Sequence, residues 1–315
     1  MNLRIATRDA YGEALVEIGS QNEKIVVLDA DLSKSTKTSR FAAVFPERFF
    51  DMGIAEQNMM GTAAGLAAAG KIPFASTFAV FATSRVMDQV RNSIAYPKLN
   101  VKIAATHAGI TVGEDGASHQ SVEDLALMRA VPNMAVIVPA DAVEARAAVR
   151  FAAQYQGPVY LRLGRPKVPV IFDEGYQFSF GRPTVVKDGG EVAVFATGIM
   201  VGVALEAAGI LKDQGVDCRV LNVSTLKPVD PVALVEGARG CRAVVSAEEH
   251  SIIGGLGSLV AEAFGEHRPL PLRRVGIPDV FGQSGAPGEL MEYYGLTPEA
   301  VARAAREAVE MAARL

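Results

Sequence analysis

The segment Gly53-Ile54-Ala55-Glu56-Gln57-Asn58-Met59 sets one carboxylate at the mouth of an Ala/Gly-rich stretch, MMGTAAGLAAAG over 59–70, that carries no charged side chain. A helix built from such residues packs closely and buries itself, with Glu56 near its first turn. The helix dipole favours an anion there, whereas desolvation by apolar neighbours favours the protonated acid. A carboxyl group held between those pulls is suited to exchanging a proton with a bound ring nitrogen. Capping of its own helix would place a glutamate in the same position.

The densest polar cluster is THAGITVGEDGASHQ, residues 106–120. It follows a predicted buried strand, and open α/β sheets bind ligands at strand carboxyl ends. His107 and His119, two of the four histidines, flank Gly113-Glu114-Asp115-Gly116. Imidazoles there could move protons or bind anions near neutral pH, and the glycines permit tight turns. A solvated surface loop would read the same way, and the acids lack the spacing of an EF-hand metal loop. Phe78 and Phe81, in ASTFAVF over 75–81, stand three apart. On a helix they share one face, fit for core packing or for a flat heterocycle.

The elements that position these residues follow an alternating rhythm. Candidate strands at 25–28, 72–75, 101–105, 135–138 and 159–161 alternate with helical stretches at 9–19, 55–69, 79–95, 121–130 and 141–153. That alternation predicts a doubly wound α/β domain with a mainly parallel sheet. A Pro/Gly/charge-rich stretch over 163–191 reads as a linker. The rhythm then restarts, with strands at 192–196, 219–223, 243–246 and 272–275 and helices near 200–214, 230–237, 256–264 and 298–313. The chain is thus read as a domain over 1–165, a linker over 166–190 and a second, smaller α/β domain over 191–315.

Bulk properties narrow the function classes. A chain of 315 residues suits two domains. A net charge of −4 provides no basic footprint for nucleic acid. No run is long and apolar enough for a membrane span, and the N-terminus MNLRIATRDAYGE lacks the apolar core of a signal peptide. Cys218 and Cys241 lie far apart without metal spacing and read as reduced thiols of a cytoplasmic protein.

Taken in order, GIAEQNM, STFAVF, THAGITVGEDGASHQ and LGRP resemble the C-terminal half of transketolase, and the likeness covers essentially the whole chain. The closing FGQSGAPGELMEYYGLTPE, 281–299, is similar to the family's final pattern. The resemblance implies a pyrimidine-binding domain followed by the transketolase C-terminal domain. It implies thiamine diphosphate as cofactor and transfer of a two-carbon ketol unit between phosphorylated sugars. On this likeness Glu56 faces the pyrimidine N1′, with Phe78 and Phe81 against the ring and Asp31 near the cofactor. His119 sits by the reacting carbons and Asp115 by a sugar hydroxyl. Arg8, Ser35, His107 and Arg165 hold the terminal phosphate.

Departures from the family are visible too. Ser84 stands where a tyrosine usually continues the pocket, and Ala108-Gly109 replace an Asp-Ser pair after the histidine. No GDG followed by Asn at the spacing that holds the diphosphate through Mg²⁺ occurs, and no P-loop replaces it. The resemblance therefore implies one subunit of a split transketolase. Its partner is an N-terminal subunit carrying the GDG…N motif and Mg²⁺, and the assembly is a heterotetramer with the cofactor between unlike subunits. The GGLG run at 254–257 could serve such packing or a plain strand-to-helix turn. Competing readings are the beta subunit of a 2-oxoacid dehydrogenase decarboxylating component, a deoxyxylulose-phosphate-synthase-like half, and a non-catalytic scaffold. The Arg8/Ser35/Arg165 set with GEDGASHQ favours a phosphorylated sugar over a 2-oxoacid.

Overall fold

The computed structural model describes residues 3–314. The first half contains β1 (Arg4–Ala6), α1 (Thr7–Gln21), β2 (Ile25–Asp29), α2 (Ser33–Thr36), α3 (Ser39–Val44), β3 (Phe49–Asp51), α4 (Glu56–Ala68) and β4 (Ile72–Phe78). It continues through α5 (Ala79–Thr83), β5 (Lys102–Thr106), α6 (Asp124–Ala130), β6 (Ala135–Ile137), α7 (Ala142–Gln154) and β7 (Val159–Arg162). Beyond these lie β8 (Lys167–Pro169), β9 (Thr184–Lys187), β10 (Val192–Ala196), α8 (Met200–Asp213), β11 (Cys218–Asn222) and β12 (Thr225–Lys227). The chain closes with α9 (Pro231–Gly237), β13 (Ala243–Ser251), α10 (Leu256–His267), β14 (Leu272–Ile277), α11 (Pro287–Tyr293) and α12 (Pro298–Ala312).

Strand alternation explains the layering. Ile25 and Val27 of β2 pack with α1 and α7, while Val26 and Leu28 pack on the opposite side with Met59, Met60 and Ala63 of α4. Each strand thus buries both faces, as a parallel sheet between helix layers requires. Six strands, in the order β6-β7-β5-β4-β2-β3, run parallel, so their carboxyl ends share one edge. The expected doubly wound α/β class is the observed one.

Several elements differ from expectation. The stretch expected as one helix over 79–95 ends as α5 at Thr83, passes through a 3-10 turn and resumes as a π-helical segment over Gln89–Ala95. Thr83 Oγ1 donates to the Ala79 carbonyl at 2.8 Å, a back-bond that bends helices. The helix expected from 121 begins at Asp124, because Ser121 is held in a bridge to Ala108. The stretch expected as linker carries β8, paired antiparallel to β1, and β9, an antiparallel edge of the second sheet.

The second sheet, β14-β13-β10-β11-β9, is five-stranded and parallel apart from that edge. β12 leaves it and pairs antiparallel with β6, completing a seven-stranded first sheet. One apolar cluster runs from Val26 and Met59 through Tyr160 to Phe195, Leu221 and Phe264, so the two sheets share a core.

Candidate active site

The expected functional residues gather along the carboxyl edge of the first sheet. Asp31 follows β2, Glu56 follows β3, Phe78 ends β4, and Phe81 lies one turn on. The 107–120 loop follows β5, and Arg165 follows β7. Three non-glycine residues there, Asp31, Lys37 and His107, adopt positive φ of 60°, 73° and 55°. Left-handed backbone at such positions costs of order 1 kcal/mol each and concentrates at functional sites.

Glu56 opens α4 and is 3% exposed. The carboxylate is not left among apolar neighbours, as the sequence alone suggested: Arg85 Nη1 donates to Glu56 Oε1 at 2.8 Å. The same guanidinium lies over the Phe81 ring, 4.3 Å from its centroid. Gln57 Nε2 donates to the Arg85 carbonyl at 3.0 Å, which pins the backbone beneath it. Residues 54–58 and Arg85 line an open cleft of about 420 Å³. Sequence reasoning missed Arg85, which reads as an exposed charge. Its position four residues after Phe81 was the available signal, since i and i+4 share a helix face.

Phe78 and Phe81 do not share a helical face, because Phe78 is the last residue of β4. Their rings stack nonetheless, 6.0 Å apart and 10° from parallel. The other side of Phe78 is covered by His107, whose ring centroid is 3.8 Å away. His119 meets the Phe81 ring edge-on at 5.4 Å. Phe81, only half buried, is thus the more accessible aromatic face.

His107 differs from a cationic anchor. Burial first, then the charges of Arg8, Arg165 and Lys37, push its pKa down to about 3, so the ring is neutral. Arg8 Nη1 lies 2.9 Å from Nε2 and has only donors, so Nε2 accepts. Nδ1 must then carry the proton and donate to Thr106 Oγ1 at 2.8 Å. His107 therefore orients Arg8 and contributes no charge of its own. Arg8 also donates to the Ser35 backbone carbonyl at 3.1 Å, so this contact bypasses the Ser35 hydroxyl. Burial holds Arg8 below the ordinary guanidinium range; nearby Asp9 opposes this and Arg165 adds to it. Two crowded guanidiniums, with Lys37 nearby, form a positive corner that an anion would relieve. Arg165 itself donates to the Val112 carbonyl and, at 3.1 Å, to Glu114.

Asp115 is exposed in the loop between Gly113 and Gly116. Asp31 is exposed as well, and its backbone N–H donates to Asp51 Oδ1 at 3.1 Å. Both share the sheet edge with the other residues but stand outside the chain of contacts from Glu56 to Arg8. Asp29, not singled out from sequence, shapes the Asp31–Lys37 turn by accepting from Leu32 N, Thr36 Oγ1 and Thr38 Oγ1 at 2.6–2.8 Å.

A buried network fixes the 107–120 loop from behind. Arg162 makes two hydrogen bonds to Asp124, at 2.8 and 3.1 Å, and one to the Glu249 carbonyl at 2.9 Å. Glu249 Oε1 accepts from Thr111 N at 2.7 Å. Gly109 has φ +77°, and a Cβ there would lie 2.3 Å from the Glu249 carboxyl group. The loop can pass this carboxylate only as glycine, which accounts for Gly109 in Thr106-His107-Ala108-Gly109.

Between the Glu56 carboxylate and the Phe81 face the chain already holds a flat, nitrogen-bearing donor, the Arg85 guanidinium, so the place fits a planar ring with an N–H. Among the described residues no three His, Cys, Asp or Glu side chains are grouped to hold a metal ion.

Residues 4–170 match the transketolase pyrimidine-binding domain and residues 181–301 the transketolase C-terminal domain. A split-gene transketolase solved as an inactive beta4 tetramer is 61% identical with a TM-score of 0.91, covering 97% of this chain and 99% of that one. A putative transketolase C-terminal section from Methanocaldococcus jannaschii is 50% identical, with 94% of each chain covered. Human transketolase is 36% identical over 96% of this chain but only 49% of its own length. Matched by both domain families along most of its length and by split-gene and C-terminal-section relatives over nearly all of it, this chain belongs to the transketolase family.

Proposed function

We propose that this chain is the C-terminal subunit of a thiamine diphosphate-dependent transketolase, which moves a two-carbon ketol unit between phosphorylated sugars in the cytoplasm. Its active site is completed by a separate N-terminal subunit carrying the GDG…N motif, which holds the diphosphate and Mg²⁺. The carrying observation is the pairing, on one sheet edge, of the Glu56–Phe81 cleft with the positive corner of Arg8 and Arg165. One end suits a flat ring with an exchangeable proton and the other a terminal dianion. Thiamine diphosphate supplies the electron sink that such a transfer requires.

The chain's own residues have separable tasks. Glu56 exchanges a proton with the ring nitrogen facing it, and Phe81 holds the ring flat, with Phe78 stacked behind. His119, edge-on to Phe81, is placed to move a proton at the reacting carbons. Asp115 reads a sugar hydroxyl. Arg8 and Arg165 hold the terminal phosphate, with Ser35 and the neutral His107 fixing Arg8; Asp31 lines the cofactor side. The inactive beta4 form of the similar split-gene protein supports self-association of this chain and inactivity without a partner, giving a heterotetramer of two unlike pairs.

The test is Glu56→Gln in the assembled enzyme. Turnover is lost while the mixed assembly still forms. Full activity in the variant would remove Glu56 from the role and favour a scaffold subunit.

A further inference from the structure

We propose that Arg85 is a built-in placeholder for the cofactor's pyrimidine, occupying its cleft in the unloaded subunit and leaving when the ring arrives. The inference rests on the thiamine reading above and deepens it. The Asp124–Arg162 pair, which ties elements together behind the site, buries both partners, with side chains 0% and 6% exposed. Glu56 and Arg85 are unequal: the carboxylate side chain is 4% exposed and the arginine 45%. The cation reaches in from the solvent side and lies across the cleft mouth.

Its two contacts are those a flat aminopyrimidine would make. The guanidinium donates an N–H to Glu56 Oε1 at 2.8 Å and lies over the Phe81 ring at 4.3 Å. Ring and guanidinium cannot hold the same carboxylate oxygen and the same aromatic face together, so cofactor binding must expel Arg85. The device is physically sensible. It supplies Glu56 with a counter-charge while no ligand is present, sparing a buried unpaired carboxylate. It also costs little to open: the Arg85 carbonyl is pinned by Gln57, so only a flexible, half-exposed side chain has to swing. While Arg85 stays, the carboxylate cannot take up a ring proton, so the chain cannot ready its acid–base group before the cofactor is seated.

A competitor that occupies the binding-competent cleft lowers apparent affinity by the fraction of time it is there. An ion pair whose cation is half exposed, with a cation–π contact, predicts that removing Arg85 tightens apparent cofactor binding about fivefold to tenfold. The experiment compares wild type, Arg85→Ala and Arg85→Gln, each assembled with the diphosphate-binding subunit, by calorimetric titration of thiamine diphosphate with Mg²⁺. Tighter binding by both variants is expected, with Arg85→Lys, which keeps the charge but not the flat stack, in between. Equal or weaker binding by the variants overturns the placeholder while leaving the cofactor reading standing. No binding by any assembly, wild type included, overturns both.

Discussion

Replacing Asp124 by Asn removes one charge from a pair that water does not reach. Asp124 is fully buried, accepts twice from Arg162 and once from Tyr160 Oη at 2.7 Å, and stands at the junction between the two sheets. The variant leaves Arg162 as a buried cation facing a neutral amide. Breaking such a pair costs about 3–5 kcal/mol, a large share of the roughly 5–15 kcal/mol that a domain has. At about 3 °C per kcal/mol for a domain of this size, a loss of about 3 kcal/mol lowers Tm by about 10 °C. Differential scanning calorimetry reads this directly. The double variant Asp124→Leu with Arg162→Met should regain part of the loss, because it removes both partners of the pair together, while the buried Glu249 loses its nearby cation.

A pH series adds an independent check on the same pair. Burial alone would raise the Asp124 pKa, but the charge and hydrogen bonds of Arg162 outweigh it and hold the group below the ordinary carboxylate range. The folded state therefore binds this proton less readily than the unfolded state. Its contribution is present above about pH 4 and is lost as pH falls through the depressed folded value. The gap between wild type and variant narrows in that acid window. A single variant that loses less than about 1 kcal/mol, or a double variant no more stable than the single, would refute the argument.

Arg8→Ala in the assembled enzyme should raise KM for a phosphorylated sugar about 30-fold, the worth of a charged hydrogen bond of about 2 kcal/mol, and leave KM for the unphosphorylated sugar unchanged; steady-state kinetics on the two substrates separates these. Because His107 titrates near pH 3, KM for the phosphorylated substrate should show no inflection from this ring between pH 5 and 8. His107→Asn should accordingly change the size of KM but not the shape of its pH profile. Gly109→Ala forces a Cβ onto the Glu249 carboxyl group at a positive φ, and chemical denaturation should show a loss of at least about 2 kcal/mol.

The fold class was legible in the sequence, and so was the gathering of Glu56, Phe81 and His119 along one sheet edge. Strands buried on both faces announce themselves as apolar runs, and Glu56, Phe81 and His119 sit in short segments whose spacing survives folding. Contacts between distant segments were not legible. Arg162 and Asp124 lie 38 positions apart, and Arg162 and Glu249 87 apart. Each looks like an ordinary surface charge until the two sheets are packed. β12 spans three residues directly after β11, so its return to the first sheet has no local signal. The break at Thr83 was hidden because helical periodicity persists on both sides of it. The neutral state of His107 follows first from its burial and then from three cations brought together from elsewhere in the chain, none of which its own segment reveals.

On the function proposed above, this chain supplies the pyrimidine and sugar side of a two-subunit transketolase. The most direct test is ketol transfer from xylulose 5-phosphate to ribose 5-phosphate, with thiamine diphosphate and Mg²⁺. The purified chain is assayed alone and then with a co-produced subunit carrying the GDG…N motif. No activity alone and transfer in the mixture are expected. Transfer by the chain alone would contradict the division of the site. Silence in the mixture, with turnover of a 2-oxoacid and an artificial electron acceptor in its place, would contradict the substrate.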